Sequence, residues 1–292
     1  MPYYFLVKKL FFGDSTLVVF SFSIILFASS SAAESNGYLT KPNATGFTVG
    51  PASDIGNSVT CIYIAIRRGP MKVPTVGTSV FDISTVSTAS GPVPGPTPTD
   101  MTLNKPSYNV SSNDWRANDR LRGGGLSLFP NTTGAESAEN YVYFDYQSGL
   151  RLSSWPVNTT IWYNFQRAPS FFDEVCYTGT EVSGQTFNHN LGAVPEMMIV
   201  KSRSGTTDWT VYHSALGASA RIYLNVTNAA NTGTAAPWNS TTPTSSVFSL
   251  GNAGATNLSG ATFVNYLFAT CAGVSKVGSY TGTGATQTID CG

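Results

Sequence analysis

The chain holds two histidines, His189 and His213, and the second lies five residues after Asp208. These three residues are the one grouping with acid–base potential. On a regular strand Asp208 and His213 have opposite parity, so one face does not hold both. His189 stands between Asn188 and Asn190 in a turn-like stretch, where short polar side chains bond the backbone. No nucleophile elbow, phosphate loop or zinc spacing occurs. Paired carboxylates for sugar hydrolysis are not localised by spacing. Cys61, Cys176, Cys271 and Cys291 share no metal-ligand spacing and read as free, small, mostly buried thiols. The expectation is no catalytic residue, no metal, no cofactor and no enzymatic activity.

Binding is the better-supported chemistry. The chain has 5 Trp and 14 Tyr, side chains that serve either as core or as platforms for sugar rings. Trp115 and Trp209 read as core. Trp238, between Pro237 and Asn239 in a Thr-rich loop, reads as an exposed contact. Trp238, Asn239, Tyr143 and Tyr146 are therefore the expected ligand-binding residues. Arg67, Arg68, Arg122 and Arg167 are expected to finish strands and pair locally.

Composition bounds the setting of these residues. Charged residues are 11% of 292 and the net charge is zero. That is less than half the usual ~25% charged and argues against a nucleic-acid binder or a coiled coil. Polarity comes instead from 34 Ser, 35 Thr, 20 Asn and 28 Gly. The profile fits an extracellular or virion-type all-β protein.

Self-similarity at a spacing of 94 to 103 residues organises the chain. Residues 26–35 match residues 128–137. Tyr63, Tyr163 and Tyr266 open three related segments. Asp114-Trp115 recurs as Asp208-Trp209, Leu121 as Leu216, and Tyr177-Thr-Gly-Thr180 as Tyr280-Thr-Gly-Thr283. This predicts a partial unit at 26–77, a unit at 78–172, a unit at 173–273 and the start of a further, truncated unit at 274–292. Such a layout suggests a fragment of a longer protein. Residues 1–25 fit no unit. Lys8 and Lys9, the apolar stretch 17–28 and Ser31-Ala32-Ala33 resemble a secretion signal, but the repeat register already begins at Leu26, so residues 1–25 read as either a signal-like or an aberrant N-terminal segment. The uninterrupted apolar stretch is too short for a bilayer span of ~20 residues.

The elements that must position these residues read as strands. Residues 196–201 form a short apolar run after a turn. Residues 221–227 alternate, with Ile222, Leu224 and Val226 on one face. Trp209 and Val211 share a face against Thr210 and Tyr212. Residues 262–268 are β-branched and aromatic. Thr178-Gly-Thr is hairpin-like, and the proline-rich 91–98 reads as an elaborated loop. No window carries a convincing amphipathic helix. The predicted fold is all-β, with tandem antiparallel β-sandwich, jelly-roll-like repeats of about 100 residues.

The segments 167–180, 187–201 and 208–213, with 273–282, resemble a repeated domain of uncharacterised function found in structural, tail-fibre-like proteins of marine bacteriophages. His189, Leu191, Gly192 and Pro195 resemble a turn of phage fibre domains. The unit at 78–172 lacks that turn. The resemblance implies a virion structural protein, tail-fibre-like or at the surface, mediating attachment or assembly; the loops that vary between units, 90–100, 138–150 and 231–246, are where specificity is expected. Its implied partners are other virion proteins, a second copy of itself, or a host surface polysaccharide. Nucleic acid and a stable membrane span are not expected. The alternative is a secreted, extracellular carbohydrate-binding module or adhesin, and less favoured is a polysaccharide depolymerase.

Overall fold

The computed structural model describes the strand backbones within residues 4–66, and then residues 72–96, 98–106, 114–146, 149–155, 159–232 and 237–291. The chain divides into two compact units, Met1–Pro70 and Met71–Gly292.

In the first unit β1 (Tyr4–Phe11), β2 (Asp14–Ser21), β3 (Ile24–Phe27), β4 (Ser35–Asn36) and β7 (Ile62–Ile66) form an antiparallel sheet in the order β4-β3-β2-β1-β7. Phe5 pairs with Phe20 and Phe11 with Asp14. β5 (Thr40–Pro42) and β6 (Phe47–Val49) make a separate hairpin. Cys61, Arg67, Arg68 and the Ser31-Ala32-Ala33 segment lie outside the described residues.

The second unit holds two sandwiches. In the first, β8 (Phe81–Val86), β10 (Met101–Pro106), β11 (Arg116–Asp119) and β16 (Thr160–Phe165) form a sheet ordered β11-β10-β16-β8. It is covered by β9 (Gly91–Val93), β14 (Val142–Tyr143) and β15 (Leu150–Leu152), ordered β14-β15-β9. β12 (Leu126–Ser127) and β13 (Ser137–Ala138) form a hairpin beside β11. The proline-rich stretch expected to be all loop thus contributes β9. That strand lies at an edge, where the missing N–H of Pro92 breaks no interior ladder.

In the second sandwich β17 (Phe172–Thr178), β19 (Met197–Ser202), β20 (Thr210–His213), β21 (Ile222–Tyr223) and β23 (Thr262–Phe268) are ordered β17-β23-β19-β20-β21. β18 (Gln185–Asn188) and β22 (Val247–Leu250) cover one face. A single turn of helix, α1 (Gly254–Asn257), precedes β23. Among the described residues no helix is long and apolar enough to cross a membrane, which says nothing of crossing by strands.

The two large sheets share one strand plan. The first strand of each sandwich pairs with its last, the last with the middle, and the middle with the next: β8-β16-β10-β11 against β17-β23-β19-β20. Registers correspond as well. Met101 opposes Phe165 and Asp119, as Met197 opposes Phe268 and His213. Gly123 and Gly217, 94 residues apart, both take positive φ in the turn that follows. That register is one residue off the Leu121–Leu216 match read from the letters.

Among the described residues, three cores follow from strand parity. Trp162, Leu150, Leu152, Val93, Val142 and Phe144 fill the first sandwich. Met198, Val200, Tyr212, Trp238, Phe248, Phe263 and Leu267 fill the second. The third lies between the two large sheets: Met101, Ala117 and Leu128 meet Phe172, Trp209, Val264 and Tyr266. Phe165 stands 5.7 Å from Phe172 and 6.2 Å from Phe268, ring centre to ring centre. The β19–β23 sheet is therefore buried on both faces. That is why β23 is buried from Phe263 to Leu267, Asn265 included, and why Trp209, Thr210, Val211 and Tyr212 are all buried despite their alternation.

Two local expectations are corrected. The strand predicted at 221–227 is only Ile222–Tyr223, and Leu224 and Val226 are exposed. The ladder stops because Asn225 turns back to accept the Trp209 N–H. Thr178-Gly179-Thr180 is no hairpin: β17 pairs with β23 and β18 with β22, so the chain crosses between sheets there. Gly179 permits the crossing, since a Cβ would sit 2.2 Å from the Leu258 carbonyl oxygen.

Candidate functional site

Asp208, His189 and His213 each bond separate local partners. Asp208 accepts Asn225 Nδ2–H at 2.8 Å, and Asn225 Oδ1 accepts the Trp209 backbone N–H at 2.9 Å. The first sandwich repeats this clamp. Asn131 donates to Asp114 at 2.7 Å and accepts from the Trp115 N–H at 2.9 Å. His189 Nδ1 accepts the Leu191 N–H at 3.2 Å, which leaves the proton on Nε2 to bond the Thr244 carbonyl at 3.0 Å. Burial lowers the His189 pKa, consistent with a neutral structural imidazole. His213 Nδ1 accepts the Ala215 N–H.

The expected ligand residues are not brought together. Trp238 is 0% exposed, which corrects its reading as a surface contact. Its ring packs edge-on against Tyr212 at 5.7 Å, and its Nε1–H bonds the Ala220 carbonyl at 3.0 Å. The Thr-rich loop folds inward and makes this ring part of the core. Asn239 has φ of 52°, a left-handed turn position that Asn tolerates, and accepts from Ser183 Oγ at 2.8 Å. Tyr143 and Tyr146, in the outer layer of the first sandwich, are 40% and 39% exposed. Between them Phe144 is buried, with the Arg120 guanidinium 5.6 Å from its ring. The tyrosines thus flank a buried ring.

A second constellation was missed: a seam of buried charge between the sandwiches. Arg122 donates to Asp119 Oδ2 at 2.5 Å, to Glu136 Oε2 at 3.0 Å and to the Ala117 carbonyl at 2.8 Å. Glu136 also accepts two bonds at 3.0 Å from Arg203, which belongs to the second sandwich. Tyr266 donates across the seam to Asp119 Oδ2 at 2.6 Å. The Lys201 ammonium reaches the Thr133 carbonyl at 3.2 Å, and burial pushes its pKa down to about 8. Trp209 Nε1–H is shared between the carbonyls of Phe129 and Thr132 at 3.0 and 3.2 Å. In the connecting segment Arg167 holds Asp173, and its N–H bonds Asp100, which Arg120 also pairs.

Arg122 and Arg167 do pair with nearby carboxylates, as expected, but Arg122 does so inside a bridge of three residues between sandwiches. The signal for it was present. In a chain so poor in charge, Asp173-Glu174 inside an apolar strand sends one acid to each face, and both faces are buried. Asp173 finds partners. Glu174 has no hydrogen bond to either oxygen, and burial, then repulsion by Asp119, holds its pKa well above the usual carboxylate range. Cys176 beside it is a free thiol whose pKa burial raises, as is Cys271, whereas free Cys291 is exposed.

Chemically the seam is an adhesive. Its guanidinium groups are occupied by carboxylates and backbone carbonyls, and no group of His, Cys, Asp and Glu among the described residues is placed to hold a metal ion. Neither a curated protein nor a solved structure matches the chain. Residues 156–292, from β16 through the whole second sandwich, match the family model of a domain of unknown function, DUF7483.

Proposed function

We propose that the chain is a structural component of a phage virion, tail-fibre-like or surface-exposed, that works in attachment or assembly by presenting loops on a stack of copied β-sandwich modules. One observation carries this reading. Two sandwiches of one strand plan share an apolar core and a bridge of partly buried ion pairs, so they form a stiff tandem scaffold. Stiff scaffolds with variable loops are suited to recognition. The resemblance to marine phage structural domains supplies the biological setting.

The test is binding of the labelled full chain to a panel of marine bacteria and to virion proteins. Saturable binding to either is expected, and binding to neither would remove the attachment and assembly role. A secreted carbohydrate-binding module is the second reading, favoured by the exposed Tyr143 and Tyr146. If a host polysaccharide is the ligand, Tyr143→Ala with Tyr146→Ala weakens binding about tenfold, ~1.4 kcal/mol. Unchanged affinity would place the contact elsewhere. Release of reducing ends from the bound polysaccharide would instead indicate a depolymerase.

A further inference from the structure

Inside the first sandwich, strand parity sends Thr102 and Asn104 of β10, with Trp162 and Asn164 of β16, to the face opposite the core shared with the second sandwich. The two strands are neighbours. Thr102 opposes Asn164, and Asn104 opposes Trp162. The side chains thus form one compact block, and each is 0% exposed. Among the described residues, Thr102 Oγ1, Asn104 Oδ1, Asn164 Oδ1 and Trp162 Nε1 have no hydrogen-bond partner. A buried polar atom is costly to leave unpaired, and here the unpaired atoms are gathered in one place.

Neighbours fix the direction of both amides. Asn118 on β11 spends its Nδ2 on the Leu126 carbonyl at 2.9 Å and on Ser127 Oγ at 2.8 Å, so its Oδ1 needs a donor. Asn104 supplies one, its Nδ2 3.2 Å away. Asn164 Nδ2 donates to the Pro94 carbonyl at 2.9 Å and to Ser84 Oγ, on β8, at 3.2 Å. Flipping either amide would set oxygen against oxygen. In the order β11-β10-β16-β8, each nitrogen therefore points away from the other strand of the pair. A planar carboxamide carries its oxygen on the opposite side. Both oxygens turn inward, to the boundary of β10 and β16, where Thr102 and Trp162 stand.

The fold does not demand this polarity. In the same register of the second sandwich, Met198 opposes Leu267 and Val200 opposes Asn265, so only Asn265 is polar there. Asn265 Oδ1 and Thr210 Oγ1 are also unpaired, but they stand on β23 and β20 with Val200 between them, and they do not converge.

The block defines its ligand by what the ligand must offer: donors for two amide oxygens and a lone pair for the indole N–H. A bare metal cation has no lone pair to give, and a simple anion has no donor. Water has both, and its two hydrogens and two lone pairs complement the two amide oxygens, the indole N–H and the Thr102 hydroxyl. We propose that the first sandwich encloses a bound-water site between β10 and β16, held by Asn104, Asn164, Thr102 and Trp162, and that the second sandwich is dry at the matching place.

Rotating-frame water–protein NMR on the full chain with isotope-labelled tryptophan tests it, because direct contact with water and hydrogen exchange give signals of opposite sign. The Trp162 indole N–H shows a direct-contact signal. The buried Trp238 N–H, held by the Ala220 carbonyl, shows none and serves as the dry reference. Asn104→Val with Asn164→Leu installs the residue types of Val200 and Leu267, and the Trp162 signal falls to the level of Trp238. If that variant does not fold, the wild-type signal alone decides. A wild-type Trp162 N–H without water contact overturns the proposal, as does a signal undiminished in the folded variant. A saturable shift of the Trp162 resonance with potassium chloride, not matched by tetramethylammonium chloride at equal ionic strength, also overturns it, because a cation would then hold the site.

Discussion

Glu174 shows how strand parity sets the chemistry of single residues here. Its neighbour Asp173 faces Arg167 and the Asn190 N–H, with a bond of 2.6 Å to each oxygen. Glu174 points the other way, into the apolar seam, where Asp119 repels it and no hydrogen bond compensates. Its pKa is raised in the folded state, so the folded chain holds the proton to higher pH than the unfolded chain does. The neutral acid is fully tolerated below the unfolded value of ~4.3, and stability is lost as pH rises from there through the folded pKa. Glu174→Gln should therefore be near neutral at pH 4 and stabilising at pH 8. Each unit of pKa shift removed contributes ~1.4 kcal/mol. Denaturant unfolding of both proteins at the two pH values checks this. A gap that does not widen with pH would mean that Glu174 is ionised in the folded chain.

At the scale of elements, the Asp–Trp–Asn clamp decides where β11 and β20 begin. A Trp N–H at a strand start is satisfied by an Asn sixteen residues on, and that Asn is in turn held by an Asp. Removing the acceptor leaves a backbone N–H unpaired, at ~1–3 kcal/mol where it is buried. Asn225→Ala should lower the unfolding free energy by about that amount, and Asn131→Ala by less, because its clamp is more exposed. Equal losses would show that burial is not what separates them. Much at this scale was legible from letters alone. The paired Asp-Trp steps, the apolar run of β19 and the aromatic β23 all pointed to strands. What misled was pattern without tertiary context. Residues 221–227 alternate as a strand does, yet Asn225 is spent on the clamp. Trp238 sits among Pro, Asn, Ser and Thr, a surface-like setting, yet the loop delivers its ring to the second core. No local periodicity encodes either event.

At the largest scale described, residues 71–292, the decisive feature is that the second large sheet buries its outer face against the first sandwich, at the end of β11 and the segment 129–136. The sequence announces two sandwiches, because the letters repeat, but not the contact between them, because that contact joins positions that differ in the two copies. Asp119 matches His213, and Arg122 matches Leu216, so the charged bridge appears once and leaves no repeat to find. The bridge is worth most when complete. Removing one partner of a buried pair leaves the other charge uncompensated, a cost of ~3–5 kcal/mol in full burial and less here, where Glu136 and Arg203 keep some exposure. A double-mutant cycle on this pair reads the contact directly, from the unfolding free energies of the wild type, Glu136→Gln, Arg203→Gln and the double variant. The stacked arrangement predicts a coupling of ~1–3 kcal/mol between residues 67 positions apart. Additive losses, within about 0.5 kcal/mol, would mean that Glu136 and Arg203 do not meet, and would contradict the packing of one sandwich on the other.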